Sequence, residues 1–322
     1  MAALSDQRPS PLVDLREVSS AYLQPVLEAE IDEWRTGLDW DFTSSADLVR
    51  RFVDMRALTG FALPGGTHAA GYAYHVCEDG KGLIGSLYVA PGYRTIENED
   101  TLLSAVLDTM LRTLGTRRIE AQLMMISSPL DRLAPYPKWF RPYARKFLEA
   151  SLANVSVLPP REPSVVIAPW HENRQDETAR LIAQAYTGHI DSQINDQYRS
   201  PGGARRFLTN IVQYPGCGAF FPGASFVAFS GAGSGRALCG ACLASLVAPE
   251  VGHITQVCVS PAVRGTGLGY ELMRRSLVAL AGHGCRSVSL TVTASNSEAI
   301  RLYERMGFRT RRDFAAYVWE IR

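Results

Sequence analysis

The chain predicts an α+β fold built twice in tandem, and three observations carry that reading. Short β-branched runs alternate with segments of helical apolar period, and in each half an antiparallel hairpin precedes a strand–helix–strand crossover. One supersecondary order occurs twice: hairpin, V-x-P-x-x-R, amphipathic helix, Gly-containing turn, β-branched strand. Such repetition argues for duplication. The length of 322 residues suits about two domains, each long enough to bury its own core.

The elements follow in chain order. In the first copy Gly71 opens a hairpin that turns at Asp79-Gly80, a dipeptide suited to the positive φ of tight hairpin turns, and ends in Val89-Ala-Pro91-Gly-Tyr-Arg94. A helix near Thr101–Leu114 and a strand Arg118–Met125 complete it. The stretch Asn154–Pro163 ends in Leu-Pro-Pro-Arg-Glu-Pro and is stiff and extended by composition. The expected organisation is therefore a first domain over 1–155, a linker over 156–163 and a second domain over 164–322. In the second copy Ser164–Ala168 reads as a strand, and Gln175–Tyr186 and Gly203–Val212 as helices. Ser225–Ser230, Ala237–Val247 and Val251–Ser260 form a meander, with Gly-rich 231–235 and Pro249 as turns. A helix near Leu268–Ala281, a strand Ser287–Val292, a short helix and a strand within Asp313–Ile321 finish the chain.

Composition excludes several classes of function. A net charge of +1 provides no field for nucleic acid or for an anionic membrane. No run approaches the ~18 apolar residues of a membrane span. The start Met1-Ala-Ala-Leu-Ser-Asp-Gln-Arg-Pro lacks the basic and apolar regions of a secretory signal, so a cytoplasmic location is expected. Six scattered cysteines suit a reducing compartment. Cys239 and Cys242 have C-x-x-C spacing, but three residues apart on a strand puts them on opposite faces, and no second pair at zinc spacing exists. Both are expected to be small core residues, with no metal bound.

The stretch Val257-Cys-Val-Ser-Pro-Ala-Val-Arg-Gly-Thr-Gly-Leu-Gly269 feeds a strand into a helix through a loop with little side-chain bulk. The first turn of a helix has unpaired N–H groups and about half a positive charge, so an anion such as a pyrophosphate fits there. Gly265, Gly267 and Gly269 let the backbone approach it, and Arg264 adds a charge. The spacing is neither a Walker loop, which needs Lys-Ser/Thr, nor a dinucleotide fingerprint, whose last Gly would fall at Tyr270. About thirty residues on, Asn296-Ser-Glu-Ala299-Ile-Arg-Leu302-Tyr303-Glu-Arg-Met-Gly307-Phe308 reads as a short helix. Ser295 and Glu298 form a capping box, Ala299, Leu302, Tyr303 and Met306 make one apolar face, and Gly307 suits the left-handed C′ position.

These two motifs, in this order, resemble the acyl-CoA loop and the N-x-x-A-x-x-L-Y-x-x-x-G-F signature of the GNAT superfamily of N-acetyltransferases, strongly over 225–320 and well over 164–224. The resemblance implies tandem three-layer α/β/α domains, each a mixed, mostly antiparallel sheet flanked by helices. It implies acetyl-CoA as acyl donor, with no metal, and direct attack on the thioester by a primary amine. The pyrophosphate would lie on Arg264, Gly265, Thr266, Gly267, Leu268 and Gly269. The pantetheine arm would lie along Val257, Cys258 and Val259, where the strand splays from its neighbour. Tyr303 would protonate the leaving thiolate, and Asn296 would hold pantetheine or the helix start. Many members carry a Glu on the fourth strand six residues before the Val of V-x-P; that position here is His253, which by parity shares a face with Thr255, Val257 and Val259. An imidazole suits proton transfer at neutral pH, and Glu250 is the other candidate base. In the segment that borders the acceptor, Asp191 and Asp196 could bind a cationic amine and Tyr198 could stack on it.

The first copy departs from this pattern. Glu97, Glu99 and Asp100 replace the glycines after Arg94 and are expected to repel a pyrophosphate, so this half is read as a degenerate domain that does not bind CoA. The tandem architecture also occurs in mycothiol synthase, which favours a small polar metabolite amine as acceptor. The reading is an N-acetyltransferase, monomeric or homodimeric. Its rival is a non-enzymatic acyl-CoA sensor or partner-binding protein on the same scaffold.

Overall fold

Hairpin register shows the duplication directly. The computed structural model describes residues 12–153, 155–161, 164–214, 216–231 and 236–321. Strand β1 (Val13–Asp14), helices α1 (Ser20–Leu38) and α2 (Thr43–Asp54), and strands β2 (Gly60–Pro64), β3 (Ala69–Glu78) and β4 (Lys81–Val89) come first, then α3 (Ile96–Arg112), β5 (Arg118–Leu123) and β6 (Phe140–Ser151). The second half holds β7 (Val166–Pro169), α4 (Gln175–Ala185), α5 (Asp191–Ile194), α6 (Pro201–Gln213), β8 (Ala219–Phe220), β9 (Phe226–Ser230), β10 (Ala237–Ala248) and β11 (Val251–Val259). It ends with α7 (Leu268–His283), β12 (Ser287–Thr293), α8 (Ser297–Arg305) and β13 (Arg309–Glu320). Gly71 pairs Val89 in the first hairpin, and Gly240 pairs Val259 in the second. Each hairpin has one extra residue in its second strand, Gly85 and Thr255, at the same place relative to that valine. The V-x-P-x-x-R segments both form a 3₁₀ turn, Pro91–Tyr93 and Pro261–Val263.

The chain divides into two compact units: one of residues up to Gly37, Phe42–Tyr143 and from Phe314 on, the other of Leu38–Asp41 and Ala144–Asp313. This differs from the linear division 1–155, 156–163 and 164–322 in its terminal strands. The second unit orders its sheet β7-β9-β10-β11-β12-β6, so the last strand before the expected linker is the one that closes it. In the first unit Ala315–Glu320 of β13 close the sheet β1-β2-β3-β4-β5 by pairing β5. An alternating apolar pattern says that a segment is a strand but not which edge it completes. Leu148 and Ala150 fit the core of the second unit, and Ala315, Tyr317 and Trp319 that of the first.

Within the second unit the sheet is covered on both faces. Leu268, Leu272, Leu277 and Leu280 of α7 pack with Ile254, Val288, Leu290 and Phe308 on one face. Leu181 and Ile182 of α4 and Leu208 of α6 pack with Val227, Ala241 and Leu243 on the other. A Cβ at Gly240 would sit 2.8 Å from Leu272 Cδ1, so that glycine sets how closely α7 lies on the sheet. Cys239 is an extra residue of β10 against β9, and this bulge places it in the same α7-side core as Cys242, correcting the expectation of opposite faces. Burial pushes the Cys242 thiol up to about 12, and Ser276 Oγ lies 3.1 Å from it, the surroundings of a core thiol.

The expected linker is not a free strap over its described residues. Val155–Val157 form a 3₁₀ turn, and Val155 and Leu158 pack on the α7-side core. Asn154, Glu162 and Pro163 lie outside the described residues, as do 232–235 of the expected Gly-rich turn. Among the described residues no helix is long and apolar enough to cross a membrane, and no cluster of three or more His, Cys, Asp or Glu is placed to hold a metal ion.

Candidate functional site

The loop ahead of α7 presents bare backbone at a helix start. Gly265 and Gly267 have φ of 77° and 87°, conformations that a Cβ disfavours. Gly267 stands at the N-cap of the 16-residue α7 and brings no side chain to cap it. The N–H groups of Gly265, Thr266, Gly267, Leu268, Gly269 and Tyr270 make no hydrogen bond among the described residues. Six unpaired donors at one helix start are what a pyrophosphate would satisfy. The side chains of the loop do other work. Leu268 is buried in the core, Thr266 Oγ1 donates to Val263 O (2.8 Å), and Arg264 Nη2 donates to Ala185 O at the end of α4 (2.6 Å). Arg264 therefore ties the loop to α4.

The parallel register of β11 with β12 ends at Ile254–Leu290, so the edge of β11 from Thr255 to Val259 is not paired with β12. This is the expected splay. The bulge at Thr255 also reverses side-chain parity: Ile254, Val257 and Val259 pack toward α7, whereas Cys258 joins the α4-side core. His253 consequently lies on the face of Gln256 and Cys258, not that of Val257 and Val259. It is 5 % exposed, with its ring 5.0 Å from Trp40 edge-on and 6.3 Å from Phe147, and its Nδ1 2.9 Å from Ser289 Oγ. Burial lowers its pKa to about 4, so it is neutral and enclosed, unlike a base open to the cleft. Glu250 sits at the β10–β11 turn, at the opposite end of β11 from Val259.

Near the splay a polar cluster assembles that the sequence pattern did not reveal. Asp191 accepts from Thr293 Oγ1 and from Arg145 Nη1 (3.3 Å), and Arg145 also donates to Thr293 Oγ1 (2.9 Å) and Thr291 Oγ1 (3.1 Å). Asp191 is thus already neutralised by Arg145 of β6, which corrects its reading as an open partner for a cationic amine. Tyr198 stacks one face on Tyr186 (4.4 Å between ring centroids), meets Phe207 edge-on and donates to Gln256 Oε1 (3.3 Å). Asp196 opens the 3₁₀ turn Asp196–Arg199. Gln256 Nε2 donates to Tyr186 Oη (2.9 Å), and Tyr186 Oη lies 3.5 Å from Val257 O, at the edge of β11. His189 joins the cluster through Asp191 N–H to its Nδ1 (3.2 Å) and Asn296 Nδ2 beside its Nε2 (3.3 Å).

Asn296 caps α8, its Oδ1 accepting from Ala299 N (3.2 Å). The helix starts one residue later than a Ser295–Glu298 capping box requires, because Asn caps as well as Ser and Ser295 precedes the turn. Tyr303, 7 % exposed, packs 5.9 Å from Phe308. Burial raises its pKa, so the phenol stays protonated at neutral pH. Its hydroxyl makes no hydrogen bond among the described residues, which leaves the proton available.

The first unit has the same splay, since β4 and β5 pair only as far as Ile84–Ala121, but its groups are committed to one another. Arg94 grips Glu33 and donates to Val89 O, while Tyr72 Oη donates to buried Glu30 (2.5 Å). Tyr74 lies across the Gly85 bulge. Glu99 is not aimed at an anion, as the sequence suggested; it is buried against Arg132 and accepts from Ser127 N–H. Thr95 Oγ1 caps α3 by accepting from Asn98 N–H.

Residues 194–308 match the model of the Acetyltransferase (GNAT) family. That stretch of the second unit is a GNAT-family domain. Among solved structures, a GCN5-related N-acetyltransferase from Sphaerobacter thermophilus superposes with a TM-score of 0.67 at 18 % identity, covering 98 % of this chain and 97 % of that one. A tandem GNAT protein from the clavulanic acid biosynthesis pathway gives 0.56 at 15 %, covering 96 % and 98 %. At these identities the likeness is one of fold, and it makes the tandem GNAT architecture a property of the whole chain. A mycothiol acetyltransferase of Corynebacterium glutamicum (strain R) is 41 % identical over 69 residues, 21 % of this chain and 24 % of that protein. The chain thus spans about a quarter of the length of the curated relatives it matches first. The GNAT match encloses the glycine loop, the splay, Asn296 and Tyr303, but neither Arg145 nor His189.

Proposed function

We propose that this protein is an acetyl-CoA-dependent N-acetyltransferase whose chemistry runs in its second unit. The observation that carries the reading is the set of six unpaired N–H groups from Gly265 to Tyr270, lying in the loop after the unpaired edge of β11. The loop would hold the pyrophosphate, and the backbone of Val257 to Val259 would align the pantetheine arm. Acetyl-CoA supplies the acyl group as a thioester. A primary amine attacks the thioester carbon in a ternary complex, the C–S bond breaks, and Tyr303 donates its proton to the departing sulfur. An amine with a pKa near ~10.4 must lose a proton before it attacks. His253 is enclosed, and His189 Nδ1 already accepts from Asp191 N–H, so its Nε2 carries the hydrogen of the neutral ring; the amine proton therefore leaves to solvent in the cleft. The acceptor favoured is a small polar amine, and the compartment the cytoplasm.

Calorimetric titration of the whole protein with acetyl-CoA tests the reading, with one site per chain expected. Two sites would overturn the account of the first unit, and no binding would remove acetyl-CoA. Binding without CoA release across a broad amine panel would favour the non-enzymatic sensor.

Neither histidine sets the pH profile of the reaction. The base limb of kcat/KM is expected to persist in His253→Leu. His253 acts instead on stability. Its folded pKa of about 4 lies below the unfolded value of about 6.5, so the unfolded chain binds the extra proton first. The folded state is unpenalised above about 6.5 and loses stability as pH falls toward 4, by roughly 3 kcal/mol in all. His253→Leu should flatten that stretch of the denaturation-versus-pH curve. A base limb lost in His253→Leu would return the base role to His253.

A further inference from the structure

We infer that Arg161, in the segment joining the two sequence halves, is a cationic ligand for the diphosphate of acetyl-CoA; this rests on the reading of the Gly265–Tyr270 loop as the acetyl-CoA site. Arg161 precedes residues 194–308, so the family match does not include it. Three contacts hold its segment against the start of α7. Arg161 N–H donates to Glu271 Oε2 (3.0 Å), Tyr270 Oη donates to Pro159 O (3.0 Å), and the Arg161 guanidinium lies 5.7 Å over the Tyr270 ring. Glu271 is a firm anchor, because it is itself buried and gripped by Arg274 and Arg275.

The side chain then runs beside the glycine that the anion needs. Arg161 Cδ and Cγ lie 3.9 and 4.0 Å from where a Cβ of Gly267 would stand, and beyond the chain neighbours Thr266 and Leu268 no other described atom comes within 4 Å. The other cations near the start of α7 have partners: Arg264 is tied to Ala185 O, and Arg274 and Arg275 to Glu271. Arg161 makes no ion pair among the described residues; its one charge contact is the face of Tyr270. A guanidinium presents a planar fork of donors that matches phosphate oxygens. Its stacking on Tyr270 and the Glu271 anchor reduce the freedom it would lose on binding. The six N–H groups supply dipoles, whereas a diphosphate carries full charge, and Arg161 is the cation placed to meet it.

The test is titration of the full-length protein with acetyl-CoA and with its 3′-dephospho analogue, for wild type, Arg161→Gln and Arg161→Lys. Arg161→Gln is expected to weaken acetyl-CoA about tenfold, with an unchanged melting temperature and a shallower dependence of affinity on salt than wild type. The same loss should appear with the dephospho analogue, and Arg161→Lys should recover part of it. A loss seen only with acetyl-CoA would move the contact to the 3′-phosphate and overturn the diphosphate assignment. Wild-type affinity in Arg161→Gln would overturn the role of Arg161 and leave the acetyl-CoA site standing. No binding by the wild type would instead remove the acetyl-CoA reading itself.

Discussion

Replacing Gly267 with valine is expected to abolish acetyl-CoA binding while the protein stays folded. Gly267 has φ of 87°, where a β-branched residue costs about 1–3 kcal/mol. That strain falls at the end of an exposed loop, after Gly265 and Thr266, and Leu268 next to it is fixed in the α7-side core by Leu272 and its other neighbours there, so the fold should hold. The larger effect is on the anion. A valine side chain would enter the space bounded by Arg161, and relief of its strain would turn the N–H groups of the loop away from a common point. Calorimetry reads the binding, and circular dichroism with thermal melting reads the fold. Retained affinity in a folded variant would end the assignment of this loop.

Tyr303→Phe is expected to lower kcat by about 10²–10⁴-fold, with acetyl-CoA affinity close to that of the wild type. The substitution keeps the ring that packs against Phe308 and removes a hydroxyl without a partner among the described residues, so no buried group is orphaned and stability should hold. The separation of kcat from binding is the diagnostic. A structural tyrosine would leave kcat alone, and a CoA-binding tyrosine would move affinity first. An unchanged kcat would take Tyr303 out of the mechanism.

Most of the scaffold was legible in the residues because its determinants are local. Asp79-Gly80 turned the first hairpin, and the apolar period of α7 and α8 placed both helices to within a few residues. Glycine spacing located the loop because positive φ has few other solutions. The cluster at the splay was harder to see. Arg145 and Asp191 are brought together by β6, which no local signal assigns to the second unit. His189 carried no motif, and its neighbours Asp191 and Asn296 were read separately. The His253 expectation failed for one residue: parity along β11 holds until the bulge at Thr255, and a bulge is a property of the pair of strands.

By itself the sequence determined the duplication, the strand–loop–helix geometry ahead of α7, the helix carrying Tyr303 and the absence of a glycine loop in the first copy. Each of these follows from short-range backbone and packing chemistry that travels with the residues. Only the tertiary structure decided which strand closes each sheet, which face His253 takes, that Asp191 is neutralised by Arg145 and that Arg161 lies beside Gly267. Those depend on pairing and burial between segments far apart in the chain, where the free energy of a side chain is set by the neighbour it meets.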